Sequence, residues 1–588
     1  MVGDAHPGAS SRLSRSESEW VEATLSSLSL REKVGQLMMP WVGGEYAAVG
    51  SPEFEQVRKW VENDGVGGLV MSIGEPLSYA VKLNEMQRRA KVPLLIASDM
   101  ENGPGMRTSA IYALPSLLPQ GGGTSFPPVM ALGATRSDDL AFSLGEVLGR
   151  EARAMGVQLV FGPVLDVNAN PLNPVINTRS FGEDPALVSS LATAYIRGTR
   201  AAGLMTTGKH FPGHGDTDVD SHLDLPTIRA GRPHLDSVDL PPFRAAIGAG
   251  IDAIMTAHIA EIGVEGPDAP PATLSRKFMS DVLRDEMGFR GLLFTDAMTM
   301  GGIAKRYGAT EPLILAVQAG TDFLLMPRDV NTAIETITSA VGAGRITEAR
   351  IDSSVRRILI AKARAGLIRG RLVDVGAIDR VVNVPSNQKI ADEIAERSIT
   401  LGRDGGSLVP LRRDARKILS ITFAGASDLI AGGIFNPALK SRLPSLETAR
   451  ADSRTSPAEY AELRRRSEAA DVVIVGVYVS PTAFAGTIAA DSSFATMINA
   501  LAAGGKSVVF VSFGSPYLAS AFPAVTSQLF AWGGAPTSQR AAALALLGER
   551  AIGGKLPVSI PPLFKFGDGT VRQATHAPVA DSLTGSGR

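Results

Sequence analysis

The sequence contains no cysteine, no excess charge of either sign and no long apolar run. Without cysteine, the chain forms no disulfide, holds no metal through a thiolate and uses no cysteine nucleophile. Its 58 basic and 59 acidic residues give a net charge of -1, so electrostatics provides no reason to expect a nucleic-acid or anionic-membrane partner. No stretch approaches the ~18 apolar residues that predict a membrane span. We therefore expect a small or neutral substrate.

The N-terminal residues 1–19 are polar and lack the apolar segment that a signal peptide needs. The chain as written is therefore expected to be cytoplasmic, or periplasmic or secreted if a leader was removed. Its length of 588 residues exceeds what one hydrophobic core supports, so two or three domains are expected.

Short apolar runs alternate with segments of helical periodicity as far as residue 367. Eight of these runs are continuously apolar, which is typical of parallel strands that are covered on both faces. The simplest arrangement is a closed (β/α)8 barrel of the TIM type. The predicted strands are 36–42, 67–73, 94–99, 157–166, 204–210, 254–258, 292–296 and 323–327. The clearest predicted helices are 137–155, 185–202 and 352–365.

The pattern changes after residue 367, because residues 369–389 show no clear period and resemble a linker. Further apolar runs then alternate with helices, which predicts a doubly wound α/β sandwich domain. The runs are 417–424, 471–479, 507–513 and 528–532, and the helices include 494–503 and 538–547. The predicted divisions are a polar tail at 1–19, a barrel at 20–367, a linker at 368–393, the second domain at 394–565 and a poorly ordered tail at 566–588.

A dense group of polar side chains follows the fifth predicted strand. Residues 209–215 read Lys-His-Phe-Pro-Gly-His-Gly, and residues 220–222 read Asp-Ser-His. The proline and the two glycines interrupt any helical period, so we predict a loop. A polar loop at the carboxyl end of a buried strand is where barrel enzymes keep their chemistry.

Three carboxylates, those of Asp99, Asp166 and Asp296, each end a predicted strand. Such converging acids suit reactions at a glycosyl or carbonyl carbon. A retaining glycosidase needs one carboxylate to attack the anomeric carbon and a second group, roughly 5 Å away in the two-carboxylate case, to protonate the leaving oxygen. Asp296 is the candidate nucleophile, and the alternative is an aspartate that caps the following helix.

Asp220 and His222 are the candidate acid. Their spacing on a loop lets the carboxylate orient one imidazole nitrogen while the other faces the substrate, and an adjacent carboxylate favours the protonated imidazole. The alternative is a surface aspartate beside an unrelated histidine. A further alternative is a divalent metal held by His210, His214, Asp220 and His222. The proline and glycine between the first two histidines break the helical register that would place both on one face.

These motifs resemble those of glycoside hydrolase family 3, and in particular its β-N-acetylglucosaminidase branch. The resemblance covers nearly the whole chain, and the blocks together are specific although each alone would be weak. The blocks that carry it are 209–215 with 220–222, 161–168 (Phe-Gly-Pro-Val-Leu-Asp-Val-Asn), 178–185 (Thr-Arg-Ser-Phe-Gly-Glu-Asp-Pro), and 395–401 and 554–558 at the start and end of the second domain.

The resemblance implies that Asp296 is the nucleophile and that His222 is the acid/base, assisted by Asp220. The residues that it implies for binding the sugar hydroxyls and the acetamido group are Asp99, Arg179, Lys209 and His210. No cofactor or metal is implied, the partner is a small carbohydrate substrate, and a monomer is expected. The β-glucosidase branch lacks the Asp-x-His loop and usually takes its acid from a glutamate of the second domain.

Two segments depart from the pattern of the branch. Residues 98–103 read Ser-Asp-Met-Glu-Asn-Gly where Asp-Gln-Glu-Gly-Gly is common, and Asn177 stands where a glycine often precedes Thr178. Both lie near the presumed sugar site, so they bear on which sugar and which leaving group are accepted.

Several functional hypotheses are open at this point. The leading one is a retaining β-N-acetylglucosaminidase that acts on oligosaccharides or cell-wall muropeptides through a covalent glycosyl-aspartate. The second is a phosphorylase, because an imidazole that has donated its proton is neutral and does not repel phosphate. A β-glucosidase and a non-catalytic sugar-binding protein are the others.

Overall fold

The computed structural model describes residues 13–577 except for 109–110, 114–117, 413–416 and 482–487. Two compact units make up the chain. The first unit comprises Met1–Ser125 and Ser137–Gln388, and the second comprises Phe126–Arg136 and Lys389–Arg588. The short stretch from Phe126 therefore belongs to the second unit, although it lies within the residues predicted for the barrel.

The first unit contains a ring of parallel strands. Pro40 separates the first two short strands, which are successive parts of one extended segment. The strands are β1 (Met38–Met39), β2 (Trp41–Val42), β3 (Gly68–Met71), β4 (Leu95–Ser98), β5 (Ile111–Ala113), β6 (Leu118–Gln120), β7 (Leu159–Val160), β8 (Met205–Phe211), β9 (Ala253–Thr256), β10 (Leu292–Phe294) and β11 (Leu324–Leu325). The antiparallel β5–β6 pair is a separate hairpin.

The remaining pairings run in order from β2 through β3, β4, β7, β8 and β9 to β10, and all are parallel. A parallel bridge from Phe294 to Phe323 leads on to β11, and β11 pairs with β1. The amide of Gly67 donates to the carbonyl of Met38 and so ties β1 to the neighbouring segment. The prediction of an eight-stranded (β/α)8 barrel is confirmed.

Regular pairing covers less of most strands than the apolar runs suggest, although β8 is as long as predicted. The largest difference lies in the run 157–166, of which only Leu159–Val160 forms a regular strand. Pro163 has no amide hydrogen to donate, and pairing resumes only as an isolated bridge between Val164 and Lys209.

Helices cover the outside of the ring, and several begin where a side chain caps them. The hydroxyl of Thr347 accepts a hydrogen bond from the amide of Arg350, so the last helix of the unit begins at Glu348 rather than at the predicted 352. The α-helices are Arg15–Ser27, Leu30–Gly35, Pro52–Glu62, Pro76–Arg89, Asp138–Ala154, Pro185–Ala201, Arg232–His234, Leu240–Gly248, Ile262–Glu265, Gly301–Tyr307, Glu311–Ala319, Val330–Gly342 and Glu348–Arg364. Two π-helical stretches are Leu235–Asp239 and Lys277–Glu286. The 3-10 turns are Pro104–Met106, Asn177–Arg179, Ala272–Leu274 and Val375–Arg380.

Side chains fill the interior of the ring. The ring of Phe294 stacks on Phe323 with centroids 4.8 Å apart and meets Phe161 edge-on at 5.5 Å. All three side chains are buried. Because the interior is packed, the residues available for chemistry are those at the ends of the strands.

A buried lysine in this unit leads us to expect an unusual dependence of stability on pH. Lys362 is fully buried, and burial lowers the pKa of its ammonium to about 7 from the usual 10.5. Its Nζ donates to Oε1 of Gln36 at 2.6 Å. Between the native pKa and 10.5 the unfolded chain binds one more proton than the native chain, so stability rises with pH there.

We expect Lys362→Met to remove this rise. The free energy of unfolding of the parent should gain about 1.4 kcal/mol per pH unit more than that of the variant between pH 7 and 9. Denaturant unfolding at several pH values measures the difference, with the exposed Lys59→Met as control. Parallel pH profiles for the parent and Lys362→Met would show that the lysine is not neutral in the native state.

The second unit contains one six-stranded sheet. Its strands are β12 (Thr400–Asp404), β13 (Ile418–Ala424), β14 (Leu446–Ala451), β15 (Val472–Tyr478), β16 (Ser507–Ser512) and β17 (Ser527–Phe530). Their order is β12-β17-β16-β15-β13-β14, with β12 antiparallel to β17 and all other pairs parallel. The helices are Val129–Thr135, Pro385–Ser398, Phe435–Lys440, Pro457–Ala469, Ser492–Ala503 and Pro536–Leu546, with a 3-10 turn at Pro516–Ala521. The predicted α/β class of this domain is confirmed.

Two parts of the sequence-based description of this unit need correction. A helix, Pro385–Ser398, begins inside the predicted linker and takes up its last nine residues, and the division between the units falls inside this helix. The predicted poorly ordered tail is structured as far as residue 577, since Ile552 and Arg572 form an antiparallel bridge. No helix among the described residues of either unit is long and apolar enough to cross a membrane.

Candidate active site

The predicted site residues lie at the carboxyl ends of the barrel strands. Asp99 follows β4, Lys209 and His210 lie in the last part of β8, and Asp296 follows β10. Arg179 ends the turn Asn177–Arg179. The pair at 220 and 222 lies in the loop after β8. Parallel strands bring all these positions to one rim of the barrel.

A network of charges joins three of these residues through a fourth that the sequence prediction missed. Lys209 Nζ lies 2.8 Å from Oδ1 of Asp99 and 2.7 Å from Oε1 of Glu101. The guanidinium of Arg179 donates to both carboxylate oxygens of Glu101, from Nε at 3.0 Å and from Nη2 at 2.7 Å. Arg107 donates to Oδ2 of Asp99 at 3.1 Å. Glu101 therefore holds both Lys209 and Arg179 in place.

The network keeps its members charged although they are buried. Burial alone would raise the pKa of Glu101, but the cations of Arg179 and Lys209 outweigh it and hold that pKa far below its usual range. Burial likewise opposes the charge of Lys209, yet the carboxylates of Asp99 and Glu101 raise its pKa. The pKa of Asp99 is lowered against burial, first by Lys209 and then by Arg107. The rim therefore presents fixed charges at neutral pH.

We expect Glu101→Gln to destabilise the protein by about 3 kcal/mol, because it leaves the buried Lys209 and the partly buried Arg179 with one carboxylate fewer. The native pKa of Glu101 is depressed, so its contribution is complete above the usual value of 4.5 and is lost as pH falls toward the native pKa. Denaturant unfolding at pH 7 and pH 4 measures both effects. Glu311→Gln, which breaks an exposed pair with Arg345, is the control and should cost less than about 1 kcal/mol. An equal loss in the two variants would contradict the role given to Glu101.

The two histidines of the 209–215 segment have different surroundings. Nδ1 of His210 lies 2.7 Å from Oδ2 of Asp166, and the same carboxylate accepts from the amides of His210 and His214. Nε2 of His210 lies 3.5 Å from Nη2 of Arg179. Both ring nitrogens of His214 are bonded to hydroxyls, those of Thr217 and Ser221, each within 2.9 Å. His210 therefore faces the charged network, whereas His214 is a buried structural imidazole.

The metal hypothesis had required His214 as a ligand together with His210, Asp220 and His222. The two ring nitrogens of His214 are instead hydrogen-bonded to hydroxyls. No group of three or more histidine, aspartate or glutamate side chains among the described residues has an arrangement that would hold a metal ion.

The loop after β8 holds Asp220 and His222 as a pair. Oδ1 of Asp220 lies 2.8 Å from Nδ1 of His222 and also accepts from its backbone amide at 2.9 Å. The carboxylate is only 2% exposed, whereas the imidazole is 25% exposed. The aspartate therefore orients the ring through one nitrogen from a buried position, as predicted, and the ring reaches solvent.

The segment that follows Asp296 supports this loop. The amides of Gly301 and Gly302 donate to the carbonyls of His222 and Ser221 at 3.0 and 3.1 Å. A Cβ at Gly301 would lie only 2.7 Å from the His222 carbonyl oxygen, so the close approach requires a glycine there. Backbone hydrogen bonds thus connect the loop that carries His222 to the segment that follows Asp296.

Asp296 is buried and held as an anion. Its Oδ1 accepts from the amide of Ala297 at 2.7 Å. Burial would raise the pKa of this carboxyl, but the imidazoles of His210 and His258, the Ala297 amide and Lys209 lower it below its usual value. The hydrogen bond from the Ala297 amide is the kind of local contact that an aspartate at a helix start makes, as in the capping alternative. The imidazoles of His210 and His258 near the carboxylate are not explained by capping.

His258 is a second residue that the sequence prediction left out of the site. It is fully buried, with Nε2 bonded to the Ala297 carbonyl at 3.0 Å and Nδ1 to the Thr273 hydroxyl at 2.8 Å. Burial lowers its pKa, while the charge of Asp296 acts in the opposite direction. A neutral ring that donates from Nε2 therefore fixes the backbone beside Asp296. His258 could have been recognised as a site residue from the sequence, because it ends the predicted strand 254–258.

The departure at Asn177 has a conformational explanation. This residue has a φ of 44°, in the left-handed region that glycine adopts most easily and asparagine next. Its side-chain oxygen accepts from the amide of Thr178, and its own amide donates to Asn168. The turn that carries Arg179 therefore keeps the shape that a glycine would allow.

A barrel whose carboxylates, imidazoles and cations meet at the carboxyl ends of the strands defines an enzyme that acts by acid–base or nucleophilic chemistry on a polar substrate. Comparison with known proteins makes this more specific. Residues 29–361 match the N terminal domain of glycosyl hydrolase family 3, and residues 351–582 match the C-terminal domain of the same family. The chain belongs to glycosyl hydrolase family 3, and it is a glycosidase.

Individual relatives support the same assignment. A beta-N-acetylglucosaminidase/beta-glucosidase from Cellulomonas fimi is 31% identical over 403 residues, which are 67% of this chain and 68% of the relative. The structure of a family 3 beta-N-acetylglucosaminidase from Paenibacillus sp. str. FPU-7 is 34% identical, covers 91% of this chain and 99% of its own, and has a TM-score of 0.80. A beta-glucoside phosphorylase, BglX, bound to 2FGlc is 26% identical, with 93% and 97% coverage and a TM-score of 0.80.

Proposed function

We propose that this chain is a retaining β-N-acetylglucosaminidase that removes terminal β-linked N-acetylglucosamine from oligosaccharides or cell-wall muropeptides. The observation that carries the proposal is the Asp220–His222 pair, in which a buried carboxylate orients a partly exposed imidazole within the barrel unit. An acid within the barrel unit is the expectation for the β-N-acetylglucosaminidase branch, so this pair supports the proposal. The names of the Cellulomonas and Paenibacillus relatives support the choice of sugar.

In the proposed mechanism, Asp296 attacks the anomeric carbon while His222 gives its proton to the leaving oxygen. The bond to the leaving group breaks and a glycosyl-aspartate forms. His222, now neutral, then takes a proton from water as the water attacks the same carbon and releases Asp296. The low pKa of Asp296 supports its role, because the attacking carboxylate must be ionised.

The charged network would hold the sugar. Asp99 is a carboxylate that can accept from a pair of hydroxyls, and it is 29% exposed at the rim. Lys209 and Arg179 would donate charged hydrogen bonds to hydroxyls or to the acetamido carbonyl, and His210 lies between Arg179 and Asp166. Glu101 and Asp166 would position these groups rather than contact the sugar.

A phosphorylase is the second candidate, and the chemistry of the acid favours it. A histidine that has donated its proton is neutral, so it does not repel an incoming phosphate as a carboxylate would. The phosphorylase BglX among the structural relatives shows that the fold serves such an enzyme. Water and phosphate would compete for the same intermediate.

Product analysis separates these possibilities. The purified protein is incubated in phosphate buffer with a chromogenic N-acetyl-β-glucosaminide, and in parallel with the matching β-glucoside. We expect free N-acetylglucosamine, whereas its 1-phosphate would establish the phosphorylase. Turnover of the glucoside alone would contradict the proposed sugar and would direct attention to residues 98–103.

A further inference from the structure

The sheet of the second unit has a topological switch point. β13 lies between β14 and β15, so the chain leaves β13 on one side to form β14 and then crosses back to form β15 on the other side. The five parallel strands thus follow the flavodoxin-like order 2-1-3-4-5. In open parallel sheets, ligands bind in the crevice outside the carboxyl ends of the strands at this point.

A cavity of about 600 Å³ lies there. Its lining comes from the residues that follow β13 and β15, with further contributions from the start of helix Ser492–Ala503 and from the end of β16. The volume is within the range of small-molecule sites, roughly 300–1,000 Å³. The lining residues that matter for the argument are Phe423, Asp428, Ser453, Tyr478, Ser480 and Asp491.

The wall after β13 is held in place by one arginine. Nη2 of Arg450 donates to the carbonyl of Gly425 at 3.0 Å and to the carbonyl of Asp428 at 2.6 Å. The Asp428 carboxylate accepts from the amide of Ala431 through Oδ1 at 3.1 Å. This wall is therefore fixed by hydrogen bonds.

The opposite wall carries a second carboxylate with a similar arrangement. Oδ1 of Asp491 caps helix Ser492–Ala503 by accepting from the amides of Ser493 and Phe494, both at 3.0 Å, and it also accepts from the hydroxyl of Tyr460 at 3.1 Å. The hydrogen bonds of both Asp428 and Asp491 to the described residues go through Oδ1. Among the residues that the structure describes, none donates a hydrogen bond to the second oxygen of either carboxylate, and we assign these two oxygens to the ligand.

The remaining lining residues define what could bind. Aromatic pairs pack beneath the cavity, with Tyr478 stacked on Phe513 at 4.4 Å and Phe423 on Phe494 at 4.6 Å. Ser453 and Ser480 add exposed hydroxyls at the mouth. No lysine or arginine belongs to the lining that the structure describes. The nearby Arg450 donates to the backbone carbonyls of Gly425 and Asp428. Two carboxylates in the lining therefore disfavour a phosphate or carboxylate ligand and favour a positive one.

We propose that this crevice binds a small, hydroxyl-rich ligand that carries a protonated amine, the class represented by amino sugars. The carboxylates pair with the ammonium, the serine hydroxyls bond to ligand hydroxyls, and the apolar floor contacts the carbon skeleton. All the lining residues belong to the second unit, and the proposal does not depend on the glycosidase specificity proposed above.

Calorimetric titration of the full chain with glucosamine tests the proposal. N-acetylglucosamine has the same ring without the charge, and glucosamine 6-phosphate adds an anion. We expect glucosamine to bind and the other two to bind at least tenfold more weakly at this site. The heat measured with the blocked variant Ser453→Trp is subtracted to remove binding at the barrel site. In the remaining signal, equal affinity for glucosamine and N-acetylglucosamine, tighter binding of the phosphate, or no heat at the highest soluble concentration of glucosamine would each overturn the proposal.

Three variants assign any binding to the crevice. Ser453→Trp fills the cavity from an exposed position, and we expect it to abolish the glucosamine signal. Asp428→Asn and Asp491→Asn keep the oxygen that caps the backbone while removing the charge, so each should weaken binding at least tenfold without unfolding the unit. Glu462→Gln, on the exposed face of helix Pro457–Ala469, is the control. An isotherm of Ser453→Trp that superimposes on the parent would place the binding elsewhere and refute the site.

The glycosidase assay on the same preparations keeps the two proposals apart. Hydrolysis of the chromogenic substrate should be unchanged in all three crevice variants, because none of these residues belongs to the barrel site. Loss of glucosamine binding with full hydrolysis supports the crevice. Full glucosamine binding in a protein that hydrolyses nothing would leave the crevice standing and refute the proposed function.

Discussion

Asp296→Ala is expected to lower kcat by a factor on the order of 10⁴ or more while the protein still folds. The substitution removes the carboxylate that would bond to the anomeric carbon, and no other anion takes its place, since Asp99 is paired with Lys209 and Arg107. Steady-state rates on a chromogenic N-acetyl-β-glucosaminide, with circular dichroism and thermal unfolding as tests of folding, measure the effect.

The control for this variant is Asp224→Asn, which changes an exposed carboxylate in the loop after β8 and should leave kcat within a factor of about two. The isosteric Asp296→Asn adds a further test, because an amide can still accept from the amide of Ala297 but cannot act as the nucleophile. Near-normal turnover by a folded Asp296→Ala would refute the assignment. A loss in Asp224→Asn equal to that in Asp296→Ala would point to damage of the loop rather than to chemistry.

The barrel was predictable because its strands are buried on both faces, so that each reads as a continuous apolar run. The edges of the second sheet carry a weaker signal. β14 reads Leu-Glu-Thr-Ala-Arg-Ala and exposes three polar or charged side chains between its buried ends, so no apolar run marks it. β12 includes Gly402 and Asp404, residue types that are depleted in strands. Both edge strands, β12 and β14, form because each pairs with a strand that is distant in the sequence.

The candidate site was likewise only partly predictable from the sequence. Asp99, Lys209, His210 and Asp296 were predictable because each stands at the end of an apolar run. Asp166 also ends a predicted strand, but neither its contacts nor those of Glu101 follow from the neighbouring sequence. The partner of Asp166, His210, lies 44 residues away, and the partners of Glu101, Arg179 and Lys209, lie 78 and 108 residues away along the chain.

His222→Ala is expected to reduce kcat/KM in proportion to the basicity of the leaving group. For a methyl or sugar aglycone, whose oxygen must be protonated as it departs, we expect a loss of roughly 10² to 10⁴. For a dinitrophenyl aglycone, which leaves as a stable anion, formation of the glycosyl-aspartate should be nearly as fast as in the parent. A plot of log kcat/KM against the pKa of the aglycone measures the difference as a steeper slope.

Two further variants, Asp220→Asn and His234→Ala, test whether the effect of His222→Ala is specific. Asp220→Asn leaves the imidazole in place but replaces the charged oxygen that faces its Nδ1 with a neutral amide, so it should show a smaller loss with the same dependence on the leaving group. His234→Ala changes another histidine of the same unit, 34% exposed, and should not alter the slope. Equal losses for activated and unactivated aglycones in His222→Ala would mean that the imidazole holds the loop in place. The slope thus separates proton donation from support of the loop, because only the former depends on the leaving oxygen.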